Sequence, residues 1–294
     1  MMEQGTIDGD WLIPVDEPEE EAPVFREILV ALDTSSDSAA ALKAAADIAM
    51  RMGANLRGLY VEDVDLLRLA ASPVAREIAY PFERVLQLRP ARMERQMRAE
   101  ATRVRQAWER ACRQRGIGGS FQVVRGDVAA EVLAAASEAD LLSIGKVGRP
   151  VFQPVSLGST ALAVVDQAAQ SVLFLQQAMY IAPPSVTVYD GSDLSRRSLH
   201  IASSIAERLG GFLTVILYPR EREYSALRHD VSDRLREREL LIRYRELSSL
   251  GPSTLIGAVY TEQTGFFVMP DLSLSSEVIR RVLKTLSCPL LLAR

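Results

Sequence analysis

The chain writes one pattern twice, and that duplication constrains its fold more than anything else in it. Ile28-Leu29-Val30-Ala31-Leu32-Asp33 returns as Ser185-Val186-Thr187-Val188-Tyr189-Asp190. An alanine-rich amphipathic stretch over 38–52 closed by Gly53 returns as 195–209 closed by Gly210-Gly211, and the apolar run 56–61 returns as 212–217. Near the end of each copy Gln170-Ser171-Val172-Leu173-Phe174 is echoed by Cys288-Pro289-Leu290-Leu291-Leu292, and Pro183-Pro184 separates the copies. Short continuous apolar runs that alternate with helical periodicity are strands buried on both faces, so each copy predicts a parallel sheet covered by helices on either side. The 294 residues are enough for two such cores.

In the first copy the pattern predicts strands over 28–32, 56–61, 121–124, 141–144 and 172–175. Helices are expected over 38–52, 91–114, 129–138 and 159–169, with an irregular region around Pro73, Pro81 and Pro90. In the second copy the middle predicts a helix over 224–239, a strand over 240–244, a helix over 253–262 and a strand over 266–269. A ligand of such a sheet sits beyond the carboxyl ends of the strands.

The stretch from Leu141 to Ser159 emerges at that end. An apolar run is followed by Gly145, by Gly148, and after nine more residues by Gly158-Ser159 at a helix start. Glycines allow positive φ and close approach to an anion, and the first amides of a helix are unpaired and partly positive. Ser159 adds a hydroxyl donor, and Lys146 and Arg149 lie within the loop. The pattern reads as a cradle for a polyphosphate. A Walker loop is excluded, because the residue after Lys146 is neither Ser nor Thr and the glycine five positions earlier is missing. The corresponding segment of the second copy, Met269-Pro270-Asp271-Leu272-Ser273-Leu274-Ser275-Ser276, is shorter, lacks glycine and opens with proline and an acid. Only the first copy is expected to hold such a ligand.

Charge is unevenly placed. Residues 1–24 carry eight acids and no base, which predicts a disordered acidic arm. Basic charge is almost entirely arginine, much of it over 91–114, where Met93, Met97, Ala101, Val104, Trp108 and Ala111 mark a buried stripe. Glu94, Glu100 and Glu109 break the basic face and no aromatic series accompanies it, so nucleic-acid binding is not expected. Apolar runs are strand-sized and no signal-like segment opens the chain, which predicts a cytoplasmic protein without a membrane partner. Cys112 and Cys288 read as isolated thiols rather than a disulfide or metal pair.

With these residues in view, the chain resembles a tandem universal stress protein. The spacing Gly145, Gly148, Gly158-Ser159 is that family's nucleotide signature, and the strand ending in Asp33, the strand ending Tyr60-Val61-Glu62 and the pair Gly126-Asp127 occur in the family's order. The match covers about 25–177; residues 185–294 agree only in outline and read as a degenerate copy. The resemblance implies an α/β fold of two tandem five-stranded parallel-sheet domains, of the adenine nucleotide α-hydrolase-like type. It further implies that ATP or a related adenine nucleotide binds, with Mg2+ as a candidate companion. Asp33 and the main chain of Val61 would hold the base and ribose, with Ala31 beside them. Gly126 would let the chain pass close, and Gly145, Gly148, Gly158, Ser159 and Thr160 would wrap the phosphates. A homodimer and an unidentified protein partner are the assemblies it suggests.

The resulting expectation is a nucleotide-dependent regulatory or stress-response protein. Two alternatives stand beside it. The first is slow ATP hydrolysis or phosphoryl transfer, for which Asp127 and Glu131 are the nearest candidates and His200 and His229 lie in the wrong copy. The second is a nucleotide-free interaction module built on the acidic arm and the arginine-rich helix.

Overall fold

The structure, a computed structural model, describes residues 24–72, 89–147, 157–220, 222–272 and 274–294, and the backbone of 76–79 and 84–87. The acidic arm lies outside the described residues except for Val24, as do Gly148, Arg149, Pro150 and Pro154.

The first half runs β1 (Glu27–Leu32), α1 (Ser36–Met52), β2 (Asn55–Asp63), α2 (Val64–Ala71), β3 (Arg76–Ala79), β4 (Arg84–Gln87), α3 (Pro90–Arg115), β5 (Gly119–Gly126), α4 (Val128–Ala136), β6 (Leu141–Gly145), α5 (Ser159–Gln167) and β7 (Ser171–Leu175). The second runs β8 (Ser185–Tyr189), α6 (Asp193–Arg208), β9 (Phe212–Leu217), α7 (Tyr224–Arg234), β10 (Leu241–Glu246), α8 (Pro252–Thr261), β11 (Phe266–Pro270), α9 (Ser276–Thr285) and β12 (Leu290–Ala293). Each half contributes five parallel strands in the same permutation, β7-β6-β1-β2-β5 and β12-β11-β8-β9-β10. The two join through one antiparallel pair, β12 on β7, with Leu290 opposite Phe174 and Leu292 opposite Val172, giving a sheet of ten strands. Every residue of β7 and of β12 is buried. An apolar edge strand with unpaired amides needs a cover, and each half covers the other's.

Helices α1, α3, α6 and α7 pack on one face of the sheet and α4, α5, α8 and α9 on the other, so each hydrophobic layer runs through both halves. Helix α1 begins where the Ser35 hydroxyl accepts from the Ser38 amide at 3.1 Å, and it ends at Gly53 with φ 67°.

The region expected to be irregular holds α2 and the antiparallel pair β3–β4. Asp63 starts α2 by accepting from the Asp65 amide at 2.8 Å; eight residues are too few to show a helical period in sequence. Helix α7 ends at Arg234 rather than at 239. Leu235 is buried there, and the following turn is tied back by Arg238 Nη1 to Glu207 at 2.7 Å.

Candidate functional site

Strand β1 lies between β6 and β2, and the chain leaves β1 and β6 toward opposite sides, which opens a crevice at their carboxyl ends. A cavity of about 820 Å³ occupies it. Its floor is Ala31, Leu32 and Asp33 from β1, Leu59, Tyr60 and Val61 from β2, and Ile144 and Gly145 from β6. One wall is the start of α5, contributed by Gly158, Ser159, Thr160 and Ala161. The opposite wall comes from α2 and α3 through Leu66, Met93, Gln96, Met97 and Glu100.

Of the residues singled out in the sequence, Ala31, Asp33, Val61, Gly145, Gly158, Ser159 and Thr160 therefore meet around one cavity, and Gly148 lies outside the described residues. Gly126 closes β5 but does not line the cavity; a Cβ there would fall 2.7 Å from Cγ of Glu131, so its missing side chain makes room for that glutamate. Glu62 turns away as well, accepting from Nε and Nη2 of Arg125 at 2.9 and 2.8 Å. Asp33 accepts from both the amide and the hydroxyl of Ser35 through Oδ1, at 2.8 and 2.5 Å, while its own amide donates to Ser38 Oγ at 2.9 Å. This tight turn fixes the carboxylate at the head of α1.

Gly145 corrects the expectation of positive φ. Its backbone is outside the left-handed region, and what requires glycine is helix α1: a Cβ would stand 2.8 Å from Cβ of Asp37 and 3.1 Å from its carbonyl carbon. Asp37 is 6% exposed and was not singled out in the sequence. Its Oδ2 accepts from the Val147 amide at 3.0 Å and its Oδ1 from the Gln177 amide at 2.9 Å, so one carboxylate ties the glycine loop and the turn after β7 to α1. The loop closes on itself where the Gly158 amide donates to the Lys146 carbonyl at 3.0 Å. Gly158 caps α5 without a side-chain bond, and the first intrahelical bond runs from the Leu162 amide to the Gly158 carbonyl at 3.0 Å. The preceding amides have no acceptor in the helix, and they line the cavity. Together with the helix dipole and two hydroxyls they suit an anion.

The other wall is where sequence reading saw only an arginine helix. Glu100, 5% exposed, accepts from the Tyr60 hydroxyl at 3.2 Å and from Gln96 Nε2 at 3.1 Å. Its signal was legible: a carboxylate three residues after Met97 falls on the apolar stripe. The described lining holds Asp33, Asp63, Asp65, Glu100 and Asp127 and no Lys or Arg.

Lys146 does not serve the cavity. It is 2% exposed, and its Nζ donates to the Leu286 carbonyl of the second half at 2.9 Å. Burial pushes its ammonium down to about 8, opposed by the negative potential of Cys288 and Asp37. Burial raises the Cys288 thiol in turn, with Lys146 opposing. Below pH 8 the lysine is charged both folded and unfolded; between about 8 and 10.5 the unfolded chain binds the extra proton, so stability rises with pH. Against Lys146→Met, wild type is expected to gain up to about 3 kcal/mol across that window, at about 1.4 kcal/mol per pH unit. Urea titrations from pH 7 to 10 that give parallel curves would refute this assignment.

The groups considered for catalysis are occupied or remote. Asp127 caps α4 by accepting from the Ala130 amide at 2.8 Å. His229 is an exposed residue of α7 paired with Asp233 at 3.2 Å, and His200 lies on α6 beside Arg238. The described residues contain no group of three His, Cys, Asp or Glu able to hold a metal, and no described helix is long and apolar enough to cross a membrane.

The second half repeats the entry turn, with Asp190 Oδ1 accepting from the amide and hydroxyl of Ser192 at 3.0 and 2.5 Å. There a guanidinium bridges the entry turn and the segment after β11. Arg220, which the strand register places where the first half has Asp63, sets Nε 3.0 Å from Asp190 Oδ2 and donates to the Leu272 carbonyl at 2.9 Å.

Comparison with known proteins agrees with this layout. The model of the universal stress protein family matches residues 25–176. A universal stress protein from Archaeoglobus fulgidus DSM 4304 superimposes over 92% of this chain and 96% of its own, with TM-score 0.68 and 16% identity. A protein of Pseudomonas aeruginosa PAO1 described as functionally unknown covers 92% of each chain, with TM-score 0.58 and 15% identity. At such identities the likeness speaks to fold alone. No curated protein matches the chain.

Proposed function

Because the chain belongs to the universal stress protein family, we propose that its first half binds ATP or a related adenine nucleotide and that occupancy makes it a nucleotide-dependent regulatory protein. The observation that carries this reading is the pairing, across one cavity of about 820 Å³, of the unpaired α5 amides with Asp33 and the β2 backbone. The volume suits a ligand of nucleotide size. In this reading Asp33, Val61 and Ala31 hold the base and ribose, and Gly145, Gly148, Gly158, Ser159 and Thr160 receive the phosphates. The residues 25–177 form the binding unit, and 185–294 form a second unit, in which Arg220 pairs with Asp190.

The acidic lining gives the reading a consequence. Among the described residues five carboxylates and no base line the cavity, so of these groups the α5 amides alone favour a polyanion, and a cation accompanying the phosphates would offset the acidic lining. Mg2+ supplies that charge when bound to the nucleotide, held chiefly by phosphate oxygens and water. Calorimetric titration is expected to give one ATP per chain in Mg2+ and an affinity at least about tenfold lower, or about 1.4 kcal/mol, in excess chelator. No heat at high micromolar ATP with Mg2+ would overturn the nucleotide reading, and two ATP per chain would overturn the confinement of binding to the first half.

A further inference from the structure

Helix α5 packs on α4 of its own half and on α9 of the other, and the second half supplies polar contacts at several points around it. The guanidinium of Arg294 caps the C-terminal carbonyls of α5: Nη1 donates at 3.2 Å to that of Val164, which also accepts from the Ala168 amide at 3.0 Å, and to that of Ala168, and Nη2 donates to that of Val165. The same guanidinium is held by Asp271 through Nε at 3.0 Å, in the segment that stands where the first half has its glycine loop. On the flank of α5, Arg280 of α9 pairs with Asp166. Ahead of α5, Lys146 reaches the Leu286 carbonyl just past α9, and its own carbonyl holds the Gly158 amide that starts α5. Helix α5 is thus gripped by the second half at its C-terminus, along its side and through the loop that leads into it.

We propose that the second half acts as a clamp that sets the position of α5, with Arg294 as the principal positioning residue, so that the candidate site and the packing of α9 and β12 are linked. Nine residues make a helix about 13 Å long at 1.5 Å per residue. So short a rod carries a displacement at its capped C-terminus to its open N-terminus. A cation at the C-terminus also complements the dipole whose positive end faces the cavity. Linkage is reciprocal: whatever the clamp contributes to a ligand at the α5 amides, that ligand returns as stabilisation of the clamp. The coupling to ATP rests on the nucleotide reading above; the mechanical grip on α5 does not.

The test separates the two. In the ligand-free full chain, hydrogen exchange at the Gly158 and Leu162 amides is expected to quicken in Arg294→Ala at least about fivefold, with β1 and β2 unchanged. Arg294→Lys, which keeps the charge and loses the fork, should fall between, and Arg280→Ala should act in the same direction more weakly. Unchanged exchange at those two amides overturns the clamp whether or not ATP binds. If wild type binds ATP, its affinity should fall about tenfold in Arg294→Ala, although that residue does not line the cavity, and ATP should slow exchange over 279–293 in wild type only. A variant that loses thermal stability but keeps wild-type exchange at Gly158 and wild-type ATP affinity would reduce Arg294 to a structural cap. Failure of wild type to bind ATP would refute the nucleotide reading and leave the exchange result at α5 to decide the clamp.

Discussion

Asp37→Ala is expected to cost the protein about 1–3 kcal/mol of stability and to lower nucleotide affinity at least about tenfold. The carboxylate is 6% exposed and accepts from two main-chain amides, those of Val147 and Gln177. Alanine leaves both donors without a side-chain acceptor, one on half-buried Val147 and one on exposed Gln177, so water offsets part of a loss of roughly 1–3 kcal/mol. It also releases the residue after Lys146 from α1, so that the glycine loop loses the anchor that brings it over the cavity. Asp37→Asn keeps one carbonyl oxygen and one of the two bonds, and should land between wild type and alanine. Urea denaturation gives the stability and calorimetric titration at a temperature where each variant is folded gives the affinity. An alanine variant with unaltered stability would show that water takes over both bonds. One with lower stability and unaltered affinity would show that the loop is positioned without Asp37.

Phe174→Ala is expected to destabilise the whole chain, not its first half alone, by about 3–5 kcal/mol. Phe174 is fully buried on β7, opposite Leu290 of β12, within a hydrophobic layer that includes Leu29 and Val164 of the first half and Val186, Val282 and Leu292 of the second. Because both layers of the core run through both halves, the halves should unfold together. Differential scanning calorimetry is expected to show one transition for wild type and one for the variant, lowered by roughly 5–10 °C. Two transitions, with only the lower one moved by the substitution, would show that the halves melt independently and that the β7–β12 seam is a docking contact between separate cores.

These two substitutions fall on different sides of what the sequence makes legible. The apolar run at 172–175 was readable as a buried strand, because a strand writes its burial into consecutive residues. Asp37 gave no such sign, since an acid in the first turn of a helix is an ordinary dipole partner, and its two acceptor roles are made with residues about 110 and 140 positions away. The candidate site divided in the same way. Asp33, Gly145, Gly158 and Ser159 stand at strand ends and a helix start, where the pattern of the chain already marks them. On the α2–α3 wall the sequence marks Glu100 as an acid on the apolar stripe of α3 but not the cavity it faces, and α2 is too short to show a period. Lys146 was placed correctly in the loop, but its side chain reaches into the second half.

The sequence by itself determined the alternation of strand and helix, its repetition, the parallel character of each sheet and the asymmetry between the two loops after the fourth strands. All of these are local: a strand's burial, a helix's period and a glycine's missing Cβ are properties of neighbouring residues. Only the tertiary structure decided that β7 and β12 pair antiparallel into one ten-stranded sheet, that Arg220 pairs with Asp190 in the second half, and that Arg294 and the carbonyl of Leu286 hold α5 and the loop that leads into it. Those outcomes depend on which edges, carbonyls and carboxylates are left unsatisfied once each half has formed. They are met by partners 30 to 140 residues away, at a separation over which no local periodicity carries information.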